Sequence, residues 1–210
     1  MQGIDIKGTI YDFFGYLIPG IVVILLMFLS YNHYFNNFNI FDSVEIFSDV
    51  SGTLIFIGLI ISYCIGHAVS SASSFIIEKL IVEKNKDILS FEKIFTKDIK
   101  NQIDDKYREI FKSEYNDKSF RLLICYVQEN KPSVYSTALV FLSIYGMARS
   151  ITLSTGIFLY AELLNLIITN NCNLVIYIVI ATIFVIIFFY EFIRFKKYHI
   201  EQIVYGFLIP

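Results

Sequence analysis

Charged residues and proline are scarce in this chain, and tryptophan is absent. Of its 210 residues only 17% are charged, 56% are hydrophobic, and three are proline. A soluble domain needs more charge than this to keep its surface hydrated, so we expect lipid to surround much of the chain. Tryptophan is usual in the interfacial belts of bilayer proteins, but here 21 Phe and 15 Tyr are available for that role.

The chain also lacks the residues of common catalytic and metal sites. Its three cysteines and three histidines are scattered, and none of them has the spacing of a disulfide framework or a metal cluster. Nucleophile elbows, phosphate-binding glycine loops and HExxH helices are missing from the sequence. We therefore predict no cofactor, no metal and no catalytic residue, and we expect that the protein is not an enzyme.

Four apolar segments are long enough to cross a bilayer, for which a helix needs about 20 mostly apolar residues. They cover approximately residues 13–31, 53–70, 150–169 and 174–192. The first has neither the basic start nor the cleavage site of a signal peptide, so we expect it to be retained.

The third segment belongs to a longer helical pattern. Residues 133–169 read as one helix that opens at Pro132, and its length of roughly 55 Å exceeds the ~30 Å hydrocarbon core. Arg149 divides it. In one placement Arg149 lies at the cytoplasmic boundary and the preceding half belongs to the cytoplasmic layer; in the other, the helix is tilted and Arg149 snorkels from inside the bundle.

Basic residues predict the orientation. The segment 78–131 holds twelve Lys and Arg, whereas the loop 32–52 and the turn 170–173 hold none. We therefore predict that the protein lies in the cell membrane. By the positive-inside rule, its middle segment and both termini face the cytoplasm.

These features predict an all-α polytopic membrane protein: a four-helix transmembrane bundle with a small helical cytoplasmic cap. We divide it into residues 1–75 (first two spans), 76–132 (cytoplasmic insert), 133–195 (long third helix and fourth span) and 196–210 (tail). The insert shows apolar residues at helical spacing. It is either a cap packed on the bundle or a docking surface for a cytosolic protein, and its near-neutral charge argues against nucleic acid.

Small residues recur every four positions along the second span, at Gly58, Ser62, Gly66, Ser70 and Ser74. Such a face lets two helix backbones approach closely. It predicts tight packing, either against another span of the same chain, which we favour slightly, or against a second copy.

The first span contains Pro19 and Gly20, which predict a kink or an unwound start. Such a kink acts as a hinge, or it is only an irregular first turn of the helix. Asp12 lies just before this span and is expected to accept hydrogen bonds from free amides at the helix start.

A polar stripe follows one side of the third span: Thr155, Glu162, Asn165 and Thr169. An ionisable residue within a span is costly and usually faces the bundle interior or a water-filled path. Glu162 is therefore the leading candidate for a functional position, lining a pore or a relay. Alternatively it is hydrated at the outer interface or hydrogen-bonded within the bundle. Arg149 and His67 are interpreted as polar residues at the interface.

Three short strings carry a resemblance to a known group: residues 11–20, residues 63–67 (Tyr-Cys-Ile-Gly-His) and residues 147–150 (Met-Ala-Arg-Ser). With the four-span layout, they resemble small bacterial four-span membrane proteins. These include accessory proteins encoded beside type VI-B CRISPR ribonucleases and other membrane effectors of anti-phage defence. The resemblance implies a membrane-acting accessory or effector protein, with a pore that depolarises the cell when a partner signals infection as one form of action.

Three functions remain open from the sequence. The first is an oligomeric effector or pore subunit that acts in the lipid bilayer with a cytosolic protein partner. The second is a non-conducting anchor or sensor whose insert recruits a soluble protein. The third, a small transporter, is disfavoured because the chain has neither an inverted repeat nor a charged substrate site.

Overall fold

The computed structural model of the chain describes residues 12–35, 52–82, 94–116 and 119–209. These residues are almost entirely helical and contain no β-strand. We number six helices. Helix α1 is a π-helical turn (Phe13–Leu17) followed by an α-helix (Ile18–Phe35), and α2 is an α-helix (Gly52–Ser73) that continues as a π-helix (Ser74–Val82). The others are α3 (Lys97–Phe111), α4 (Phe120–Asn130), α5 (Pro132–Thr169) and α6 (Leu174–Leu208).

Four of these helices are long and apolar enough to cross a membrane: α1, α2, α5 and α6. Many of their large apolar side chains are exposed, among them Phe56, Ile167 and Ile186, which are 65%, 72% and 64% exposed. A soluble protein does not expose apolar surface on this scale, whereas lipid covers it at no cost. The four helices indicate a multi-pass membrane protein.

The predicted break in the first span takes the form of a π-helical turn. The amide of Ile18 donates to the carbonyl of Phe13, five residues back, immediately before Pro19. Proline has no amide to continue the regular ladder, so the wider turn absorbs the local mismatch. The expected capping by Asp12 is wrong: its side chain makes no capping hydrogen bond, because its backbone (φ −64°, ψ −40°) is already helical rather than extended.

Helix α5 is continuous through Arg149, from Pro132 at its first turn to Thr169. Its 38 residues correspond to ~57 Å, and the 35 residues of α6 to ~52 Å. The two helices pack against each other more extensively than any other pair. Asn170 ends α5 in the left-handed conformation (φ 51°), where asparagine is tolerated, and its amide donates to Leu166. The chain then turns directly into α6.

Helices α3 and α4 pack onto the ends of α5 and α6 and form what we call the short-helix layer, residues 94–116 and 119–130. Its apolar core contains Ile103, Tyr107, Leu123, Val127, Ala138, Ile203, Val204 and Phe207. Lys106 also donates to the carbonyls of Leu208 and Ile209, at 3.2 and 3.3 Å, which satisfies the exposed end of α6. The layer is thus joined to both long helices.

Shortening one side chain tests this core. Ile103 is 1% exposed, and we expect Ile103→Val to lower the free energy of unfolding by about 0.5–1.5 kcal/mol, because a buried methyl group is lost. The matched control is Ile209→Val, since Ile209 is 55% exposed and its change should have an effect within about 0.5 kcal/mol. Thermal melting in detergent measures both. Equal melting temperatures for the two variants would contradict the packing.

Candidate functional site

Helices α1 and α2 cross with their backbones almost in contact. A Cβ atom added at Gly20 would lie 1.7 Å from the carbonyl oxygen of Ser62, and one added at Gly66 would lie 1.8 Å from that of Tyr16. Only glycine fits at either position. Next to this crossing the ring of His67 stacks on Tyr16, with centroids 3.6 Å apart and an angle of 16° between the rings. His67 thus makes an aromatic contact with Tyr16 and is itself exposed.

The face of small residues on α2 is divided among different partners. Ser62 and Gly66 are buried against α1. Ser70 instead offers its carbonyl to Arg149, and the hydroxyl of Ser74 reaches Glu78 at 3.5 Å. Gly58 has no close neighbour within the chain, because a Cβ atom added there meets nothing within 4 Å. The close contact within the chain is thus confined to one part of the predicted face.

Arg149 is the centre of a buried charge network between α2, α5 and α6. It is 7% exposed. Its guanidinium donates to the Glu78 carboxylate at 2.6 Å and to the Ser73 hydroxyl at 3.1 Å. The second Glu78 oxygen accepts from Lys196 of α6. Arg149 thus faces the neighbouring helices, and three helices meet at a single carboxylate.

Glu162 lies in a second buried cluster, near the opposite ends of α1 and α5. It is 0% exposed. One carboxylate oxygen, Oε1, accepts from the hydroxyl of Ser30 at 3.1 Å. The other, Oε2, lies 3.0 Å from Nδ1 of His33, whose side chain is 11% exposed. The structure thus places Glu162 in contact with α1, bonded within the protein.

Unsatisfied polar atoms are concentrated at this second cluster. Among the described residues, the buried side-chain atoms without a hydrogen-bond partner are Nδ2 of Asn32, Nδ1 of His33, Oε2 of Glu162, and Nδ2 and Oδ1 of Asn165. His33 and Glu162 are at ion-pair distance but outside hydrogen-bonding geometry. Buried polar groups are normally satisfied, so a concentration of unsatisfied ones points to bound water or another small ligand.

Between the two clusters, α5 buries hydroxyl groups on several of its sides. Between Arg149 and Glu162 it carries the hydroxyls of Ser150, Thr152, Ser154 and Thr155, all of them buried. Those of Ser150, Thr152 and Ser154 donate to carbonyls one turn back on the same helix. The predicted stripe is therefore mostly interior, except that Thr169 is exposed and donates to Asn165. Thirteen residues, or ~20 Å of helix, separate Arg149 from Glu162.

An apolar groove of about 610 Å³ opens beside this segment, between α1, α2 and α5. Leu26, Met27, Ile157 and Phe158 are among its lining residues, and Ser30 is one of its few polar ones. An apolar lining of this kind suits a lipid chain better than water.

Several residues of the two clusters escaped the sequence reasoning. Glu78, Ser30 and His33 were not singled out, although Glu78 lies only eight residues beyond the predicted second span. A signal was present for His33, because an ionisable residue at the end of a span is costly when it is buried without a partner. The partner of Glu78 is Arg149, 71 positions away in the chain, and the partner of His33 is Glu162, 129 positions away.

Comparison of the chain with protein-family models, with curated proteins and with solved structures finds no match. The function is therefore argued from the geometry of the two clusters.

Proposed function

We propose that the protein is a small membrane effector that assembles with copies of itself and lets ions cross the membrane when a cytosolic partner acts on it. Placing a charged side chain inside a membrane costs free energy, and such residues usually take part in ion transport or proton transfer. The observation that carries the proposal is that a single helix, α5, buries two ionic groups about 20 Å apart, Arg149 and Glu162, with buried hydroxyls along the segment between them.

The orientation follows from the distribution of basic residues. We propose that the four long helices form a transmembrane bundle in the cell membrane, with both termini and the short-helix layer in the cytoplasm. The twelve Lys and Arg of residues 78–131 support this choice. The Arg149 network then lies near the cytoplasmic boundary, and the Glu162 cluster lies toward the outer side.

The short-helix layer is the proposed entrance for the signal. Ala138 of α5 and Phe207 of α6 belong to the core of the layer. The same two helices carry Arg149 and Lys196, which share Glu78. A partner that shifts α3 or α4 would therefore move α5 and α6 as rigid bodies. This movement would rearrange the contacts of Arg149 and Lys196 with Glu78. Anti-phage defence, which the resemblance implies, is one setting for such a response.

A liposome assay tests the function. We expect the full chain, reconstituted densely so that self-assembly takes the place of the partner's action, to dissipate at least one of two imposed gradients, K⁺ or proton, severalfold faster than protein-free liposomes do. Flux is followed with separate K⁺- and pH-sensitive dyes, and chemical cross-linking should recover more than the monomer. A monomeric chain that leaves both gradients intact would contradict the proposal.

That negative result would favour a non-conducting anchor or sensor. The structure offers an observation for this second candidate. Helix α3 buries Ile103 and Tyr107, while Asp105, Arg108 and Glu109 of the same helix are exposed. A charged face of this kind suits recruitment of a soluble protein.

A further inference from the structure

Glu162 has one cationic partner among the described residues, and that partner is itself titratable. His33 lies 3.0 Å away. Arg149 is ~20 Å along the helix and is already bound to Glu78. The 0% exposure of Glu162 makes an isolated carboxylate very unfavourable at this position.

Neutrality therefore favours states of the pair that hold one proton, and proton uptake or release passes through the charged states with two protons or none. Either His33 carries an extra proton and Glu162 is ionised, or His33 is neutral and Glu162 is protonated. The two forms differ only in which side of the 3.0 Å gap holds the proton.

Among the described residues, the titratable side chains recorded beside the pair are tyrosines. Among the groups that face the pair, Tyr177 of α6 packs its ring 4.4 Å from that of His33, and Tyr34 of α1 donates to the carbonyl of Ala161. The facing part of α2, residues 52–61, contains no titratable residue. His33 retains some exposed surface while Glu162 has none, so a proton from the outer side meets His33 first.

Asn32 and Asn165 supply the other unsatisfied polar atoms beside the pair. Their unsatisfied atoms include two amide donors and one carbonyl acceptor. A bare cation satisfies acceptors only, whereas water satisfies both kinds. Asn165 is three residues from Glu162 and therefore on the same face of α5.

We propose that Glu162 and His33 form a proton-binding site, completed by water held at Asn32 and Asn165, and that the proton is the species that crosses the membrane. This proposal rests on the proposed function, because it names what is conducted. In the transfer step Nδ1 of His33 gives its proton to the water held at the site, which gives one of its own protons to Oε2 of Glu162, and the imidazolium and the carboxylate become neutral together.

The site itself can be tested without any flux. In purified protein, the carbonyl band of a protonated carboxyl is followed by infrared spectroscopy while pH is varied. We expect Glu162→Gln to remove a pH-dependent band that Glu191→Gln retains. Glu191 is the matched control because it is partly exposed and paired with Arg194. In His33→Ala, Glu162 loses its cationic partner and should stay protonated over the whole range, which provides a test if the glutamine variant folds poorly.

The liposome assay then separates the two proposals. Proton flux that falls at least tenfold in Glu162→Gln, but not in Glu191→Gln, supports the proton as the conducted species. Proton and K⁺ flux that are equal and unaffected by Glu162→Gln would overturn this inference and leave the proposed function standing. If the infrared band titrates as expected but neither ion crosses the membrane, the proposed function is wrong and the proton is not a conducted species. The proton-binding site itself would still stand.

Discussion

Replacing Gly66 with alanine is expected to lower the free energy of unfolding by about 3 kcal/mol or more, at the upper end of the cost of overpacking a core. The added Cβ atom would lie 1.8 Å from the carbonyl oxygen of Tyr16 and 2.6 Å from its carbonyl carbon. Both atoms are backbone, so no side-chain rotation relieves the overlap. Helices α1 and α2 must separate.

Separation has consequences beyond this contact. Gly20 approaches the backbone of Ser62 one turn further along the crossing, and the stack of His67 on Tyr16 depends on the same spacing. Association of helices in lipid relies on close packing, because lipid chains cover apolar surface as well as another helix does. A loss of contact here is therefore not offset by hydrophobic burial elsewhere.

Gly58→Ala is the matched control on the same helix. Its added Cβ atom meets nothing within 4 Å, and alanine is the better helix former. We expect its melting temperature in detergent to equal or slightly exceed that of the unaltered protein, while Gly66→Ala melts well below it. If the two variants melted together, the close crossing of α1 and α2 would be wrong.

The contrast between Gly58 and Gly66 also shows how far the sequence could lead. The four-residue repeat correctly indicated that α2 has a smooth face, because helical periodicity is a local property. Which part of that face meets another helix depends on the crossing point and angle, which are set by the whole fold. The length of α5 was predictable because the signals that start and stop a helix are also local in the sequence. Pro132 starts the helix, and no helix-breaking residue interrupts it before Asn170.

The candidate site was predictable only in part, for a similar reason. Glu162 stands out because a carboxylate within an apolar segment has no other explanation than a partner or water. The identity of the partner is not local, since His33 and Ser30 belong to a helix more than a hundred residues earlier. Glu78 was hidden among the many charges of the insert, and only the fold brings it to Arg149.

Replacing Arg149 with glutamine is the second change with a large expected effect. It leaves the Glu78 carboxylate with Lys196 alone, and it removes the donors to the hydroxyl of Ser73 and the carbonyl of Ser70. Removing one partner of a buried ion pair costs about 3–5 kcal/mol, because the remaining charge stays buried without full compensation. Arg194→Gln is the control, since the side chain of Arg194 is 44% exposed and such surface pairs contribute about 0–1 kcal/mol.

A double-mutant cycle decides whether the loss comes from the pair. Glu78→Gln alone should also be destabilising, because it leaves Arg149 and Lys196 facing each other without the shared carboxylate. If the three groups form one network, the free energy lost in the double variant is smaller than the sum of the two single losses by about 0.5–3 kcal/mol. Strict additivity, or an Arg149→Gln variant as stable as Arg194→Gln, would contradict the network that joins α2, α5 and α6.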